Sequence, residues 1–294
     1  MVHFCSVGGV ALFFILSGAV LIARYRDDFN FKEFYAKRFI RICVPQWIGF
    51  IGAFLLCFVV NKNIINFDWR GMVISFLGLN YTSLSWAELG IRVMWIIGEW
   101  FTAVIIIVYL LFPFLRFLFI KHRISGSIFI LFMGLLNLKF QILSYANGWF
   151  SFSNGIMYFW LGMLFDEYKG LFYSKKLLLC LLMFLNGFII YNPEDIIGIK
   201  YIPCFISSLL VFPLLYQIRF STRFTQYICK YNYELYLIHH RIYIILIPAL
   251  LKAKSNDLQI ILAFVFLTLI VFYFSELLAK ATGLILQNVK FHKG

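Results

Sequence analysis

The stretch GEWFTAVIIIVYLLFP, Gly98 to Pro113, is close to continuous hydrocarbon, interrupted near its start by one carboxylate, Glu99. An apolar run of this length reads as a membrane-crossing helix, which needs ~20 such residues. Burying a carboxyl group in hydrocarbon costs several kcal/mol unless it is neutralised or paired, so Glu99 is a functional candidate by its position alone. The same pattern returns late in the chain. YNYELYLIHHRIYIILIP, Tyr231 to Pro248, sets Glu234, His239, His240 and Arg241 inside another apolar run.

Between and around these two stretches the chain is of one kind. Hydrophobic residues make up 63% of the 294 and charged residues 13%, about half the charged fraction of a soluble domain. The composition therefore predicts an all-α, polytopic transmembrane helical bundle. About nine spans can be counted, near 4–23, 42–61, 93–115, 124–143, 149–165, 177–192, 200–217, 232–251 and 258–279. Residues 71–86 are only weakly amphipathic and read as an interfacial or re-entrant segment. The alternating pattern of a membrane β-barrel is missing, and no Pro- or Ser-rich linker divides the chain. The expectation is a single domain over 1–294, with a cytoplasmic tail over 280–294.

The formal net charge of +13 invites a nucleic-acid partner, but the distribution argues against one. Of the 26 Lys and Arg residues, 18 fall in alternate loops: 24–41, 116–123, 169–176, 219–230 and the C-terminal tail. By the positive-inside rule these loops face the cytoplasm. The N-terminus of this form then faces outward and the C-terminus inward. The excess charge sets topology first, and could serve a polyanion only locally.

The six cysteines stand singly, mostly within spans, and no Cys/His cluster has metal-ligand spacing, so they read as small packing residues and no metal is expected. His122 and His292 lie in basic segments and read as solvated. Trp47, Trp69, Trp86 and Trp149 near span ends read as interfacial belts, although Trp86, Trp149 and Tyr81 fall on the outer side, where a sugar could stack.

After the first span comes RYRDDFNFKEFYAKRFIRICVP, Arg24 to Pro45. Arg38 and Arg41 are three residues apart and share a face if the segment is helical. Two guanidinium groups so placed, with Lys37 beside them, can hold phosphate oxygens through bidentate, charge-assisted hydrogen bonds. Read alone, the same residues are a topology signal that touches lipid headgroups.

In order along the chain, GGVALFFILSG (Gly8 to Gly18), KRFIRICVP (Lys37 to Pro45), GEWFTAVIIIVYLLFP, MYFWLGMLF (Met157 to Phe165) and YNYELYLIHH resemble the motifs of the acyltransferase 3 family. These are integral-membrane enzymes that O-acylate, usually O-acetylate, bacterial surface polysaccharides and related molecules. The resemblance runs from residue 3 to about 250. It implies about ten spans, one more than the chain shows, and a first span carrying an Arg and then a His. His3 matches that histidine and the Arg has no counterpart, so the chain reads as lacking the first transmembrane helix.

The resemblance further implies acetyl-CoA or another acyl-CoA as donor from the cytoplasm, and a glycan or lipid-linked glycan as acceptor, in the plasma (inner) membrane among its lipids. Lys37, Arg38 and Arg41 would bind the donor phosphates, and His3 would take the acceptor's proton. Glu99 would orient an imidazole or pair with Arg92, two helical turns earlier. His239 and His240 point about 100° apart on a helix and would not both serve one site. Two other classes stay open: a secondary transporter or flippase, since polar residues in a bundle also mark substrate paths, and a truncated, inactive membrane partner.

Overall fold

The computed structural model describes residues 2–60, 68–80, 89–93, 97, 99–140, 152–176, 178, 180–183, 202–218, 221–239, 242–243 and 257–288. Among these the long elements are α1 (Val2–Tyr25), α2 (Phe31–Val60), α3 (Trp69–Phe76), α4 (Glu99–Lys121), α5 (Arg123–Phe140), α6 (Phe152–Ser174), α7 (Ile202–Gln217), α8 (Arg223–Lys230) and α9 (Asp257–Asn288). A further helical stretch covers 232–239. No strand occurs among the described residues, and the chain is an all-helical membrane protein. Helical segments over Phe31–Leu55, Phe101–Lys121 and Leu258–Leu286 are long and apolar enough to cross a membrane; Gly9–Tyr25, Arg123–Asn137 and Ile206–Gln217 are shorter apolar helices.

Several boundaries differ from the sequence expectation. α2 begins at Phe31 rather than near 42, because Asn30 caps it: its Oδ1 accepts from the Glu33 amide (3.1 Å) and its carbonyl from the Phe34 amide (2.9 Å). α4 begins at Glu99 rather than near 93. α6 runs on to Ser174, with a kink at Tyr168. α9 continues to Asn288, so residues 280–288 of the expected tail are helical. The expected spans at 177–192 and 232–251 lie partly outside the described residues.

The chain divides into two compact units, Met1–Ala36 with Val104–Arg219, and Lys37–Ala103 with Phe220–Gly294. In the first, α1 packs along α6 at a separation that only glycine allows. A Cβ on Gly18 would fall within contact distance of the Phe159 carbonyl, and one on Gly162 would strike the Ile15 carbonyl and the Ala19 amide. Between helices in hydrocarbon, where apolar burial gains little, such close backbone approach is a main source of attraction. Buried rings of Phe34, Phe112 and Phe159 fill the neighbouring space, with Phe34 and Phe112 stacked at 5.0 Å.

One end of this unit is tied by charge. Glu167 bridges Arg26 (2.6 Å) and Arg123. Arg116 donates to the carbonyls of Tyr25 and Arg26, closing the C-terminal end of α1. The segments around 24–26, 116–123 and 166–169, whose cations the charge pattern assigned to one side, thus gather at one end. Hydrogen bonds from Arg123, then from Arg26, hold the Glu167 carboxyl below its ordinary value.

In the second unit Asp68 organises the short α3. Its Oδ1 accepts from the Arg70 amide at the helix start (3.0 Å), and its Oδ2 accepts from the Arg92 amide (3.1 Å). Burial pulls the Asp68 carboxyl upward, but these hydrogen bonds outweigh it and the net shift is downward. The 91–93 backbone crosses α3 at Gly71, where a Cβ would strike the Arg92 carbonyl. Phe50, Ile97, Leu237 and Leu278 form the unit's buried apolar cluster, joining α2, the approach to α4, the 232–239 stretch and α9.

Two outcomes follow from these contacts. Gly162→Ala should destabilise the folded protein by about 1–3 kcal/mol, the usual cost of overpacking, because backbone cannot rotate away as a side chain can. Gly170→Ala, where nothing lies within 4 Å, should be near neutral, and equal thermal melts of the two in detergent would refute the contact. Because the folded Glu167 carboxyl titrates below its unfolded value of about 4.3, its contribution is present above that value and is lost as pH falls through the lower folded one. The melting temperature should therefore decline on acidification below about pH 4, and Glu167→Gln should flatten that decline.

Candidate functional site

The basic residues on the early turns of α2 lie on helix, so Arg38 and Arg41 share a face. Lys37 and Arg38 are half-buried and Arg41 is exposed. Pro45, four residues beyond Arg41, has no N–H for the Arg41 carbonyl, so α2 is held least by its own ladder at this turn. The Tyr233 hydroxyl supplies a hold from outside, donating to the Ile42 carbonyl (3.1 Å). Glu234, next along, comes within electrostatic reach of the Arg41 guanidinium. The KRFIR and YEL motifs, far apart in sequence, are therefore neighbours in one unit.

The same tyrosine reaches α4. Its oxygen lies 3.2 Å from Thr102 Oγ1. Since the single phenolic hydrogen goes to the Ile42 carbonyl, the Thr102 hydroxyl is the donor in this second bond. One residue earlier, Phe101 packs its ring against Tyr236 at 4.8 Å. The start of α4 thus runs antiparallel to 232–239. Glu99 lies two residues beyond Phe101 in one direction, and His239 three residues beyond Tyr236 in the same direction. The backbone register brings Glu99 and His239 to one end of this junction and Arg41 with Glu234 to the other, about 7.5 Å apart along the helix at 1.5 Å per residue.

His239 has a defined orientation. Its Nδ1 lies 2.7 Å from the Tyr236 carbonyl and 3.1 Å from that of Leu235. A ring nitrogen facing two carbonyl oxygens carries the hydrogen, which leaves Nε2 as the ring's acceptor end.

Residues 91–93 are not helical and α4 starts at Glu99, so the register that set Arg92 on the face of Glu99 does not exist. A turn through Gly90, at φ +69°, and the Asp68 bond to the Arg92 amide hold this segment against α3 instead. His3 lies in the opening turns of α1, in the first unit. His240 lies outside the described residues.

Sequence reasoning missed Thr102 as a partner of Tyr233, and also Gln46. The Gln46 side chain is fully buried; its Nε2 donates to the carbonyls of Ser75 (3.4 Å) and Phe76 (3.5 Å), and its Oε1 has no hydrogen-bond partner. Gly78, at φ +73°, lies against the amide, where a Cβ would collide with it. The available signal was an amide placed directly after a proline in an apolar helix. Among the described residues no group of His, Cys, Asp and Glu could hold a metal ion.

The family model of the acyltransferase 3 type, described as an acyltransferase domain, matches residues 1–280. No curated protein and no solved structure matches the chain.

Proposed function

The chain belongs to the acyltransferase 3 family, and from that premise we propose that this membrane acyltransferase moves an acyl group, acetyl in the first instance, from cytoplasmic acyl-CoA to a hydroxyl of a cell-surface or lipid-linked glycan. The observation that carries the reading is the junction at Tyr233. It joins the arginine-bearing turn of α2 to the start of α4, with His239 and Glu99 at the far end. A donor with anionic phosphates at one end and a reactive thioester at the other has the same polarity.

In this reading Arg38 and Arg41, with Lys37, hold the phosphates by charge-assisted hydrogen bonds. The carbon–sulfur bond of the thioester lies toward the His239 end. The acceptor hydroxyl gives its proton to an imidazole as its oxygen attacks the thioester carbonyl carbon. The tetrahedral intermediate collapses with cleavage of the carbon–sulfur bond, and the departing sulfur takes the proton to leave as CoA thiol. Two histidines are candidates for the base. The family motif supplies His3, and the fixed Nδ1–H tautomer supports His239. Glu99 would stabilise the imidazolium formed. The basic loops would face the cytoplasm of a bacterial inner membrane, with about nine spans in this chain.

Titration calorimetry of acetyl-CoA into the purified protein tests the clamp. Replacing both Arg38 and Arg41 by Ala should weaken binding at least about tenfold, since one hydrogen bond to a charged group contributes about 1.5–3 kcal/mol; unchanged affinity would remove the clamp. Thiol release from acetyl-CoA separates the histidines. Loss of about 100-fold or more, in the range of general-base catalysis, in His239→Ala but not in His3→Ala would assign the base to His239, and the reverse pattern would assign it to His3.

A further inference from the structure

We propose that Tyr233 is a positioning residue: its hydroxyl locks the arginine-bearing turn of α2 to the first turn of α4 and so aligns the held donor with the reacting end of the site. The assignment rests on the acyl-CoA reading above and extends it to a residue pair, Tyr233 and Thr102, that binds neither phosphate nor the transferred group.

α2 is short of one backbone donor at Arg41 because of Pro45. Its turn therefore has a softer backbone where it carries the two cations. The Tyr233 hydroxyl binds the next carbonyl, that of Ile42 (3.1 Å), and accepts from Thr102 Oγ1 (3.2 Å). Thr102 is itself buried and sits one turn after Glu99 on α4. The phenol is the shared member of both bonds, so one oxygen spans two helices. The adjacent ring contact, Tyr236 on Phe101, is apolar and can slide. The two hydrogen bonds are directional and cannot slide without breaking.

A consequence separates this role from plain structural support. Arg38 and Arg41 are on one helix, so their geometry toward phosphates survives loss of the phenol. The relation of α2 to α4 does not. Removing the hydroxyl should therefore spare donor affinity and slow transfer, because misplacement of a reacting group by about 1 Å can cost ~100-fold in rate.

The test uses the full chain in lipid nanodiscs with acetyl-CoA as probe, reading Kd by calorimetry and the rate of thiol release under saturation. Tyr233→Phe should keep Kd within about twofold of the wild type while the saturated rate falls ~10–100-fold. Thr102→Val should act in the same direction, and the double variant should be no slower than Tyr233→Phe alone, since both remove one linked pair. An unchanged rate in Tyr233→Phe, a Kd that weakens in step with the rate, or additive effects in the double variant would each overturn the assignment. Should Tyr233→Phe fold poorly, Thr102→Val alone decides by the same split. A wild-type protein that neither binds acetyl-CoA nor releases its thiol overturns the donor reading, and this assignment with it. A competent wild type beside an unaffected Tyr233→Phe overturns the assignment alone.

Discussion

A polar group placed in hydrocarbon has no water to turn to, so leaving it without a partner within the protein costs several kcal/mol. That constraint explains most of the specific contacts in this chain. Arg116 closes the carbonyls at the end of α1. Glu167 is held between two guanidinium groups. The amide of Asn137 donates to that of Asn154 in the buried interior (3.3 Å). Thr282, Ser275 and Thr268 return their hydroxyls to carbonyls one turn back on α9. Beside the break that Pro45 makes at the Arg41 carbonyl, the Tyr233 hydroxyl bonds to the neighbouring Ile42 carbonyl and also bridges to α4.

The second constraint is steric. Apolar side chains facing lipid gain little by facing each other instead, so helix pairs are chosen by how closely their backbones fit. Gly18 and Gly162 are the points of closest approach between α1 and α6. Both belong to the motifs GGVALFFILSG and MYFWLGMLF, which carried the family resemblance. Their role here is packing. The motifs of this chain thus divide by unit: glycine-bearing ones assemble the first, whereas KRFIR, GEWF and YELYLIH meet in the second, where the candidate chemistry lies.

Legibility in the sequence follows the same physics. The all-helical, apolar character was readable because the bilayer imposes a length and a composition on each helix, and once the segment is helical the face shared by Arg38 and Arg41 follows from their spacing. The start of α4 was not readable. Asp68 holds the Arg92 amide and Gly90 turns the chain just before it, and neither alters the apolar run at 93–115. For the same reason Arg92 was placed on a helix face that does not form. The Tyr233 junction joins residues whose separations of 131 and 191 positions leave no periodic trace. Gln46 was passed over because one amide hardly changes the hydropathy of its segment.

The arrangement in the second unit also bears on how binding energy could be used. In the acyl-CoA reading the phosphates are remote from the bond that breaks, so their contribution accelerates transfer only if the protein converts a distant hold into alignment. A flexible link between the arginine turn and α4 would let the donor bind in many poses and gain affinity without rate. The turn at Pro45 is such a weak link, and Tyr233 bonds to the carbonyl beside it. In the acyl-CoA reading, the hydroxyl that ties α2 to α4 is the one that couples the clamp to the reacting end. Alignment then rests on one atom, and Tyr233→Phe isolates its effect because phenylalanine keeps the ring and loses only that oxygen.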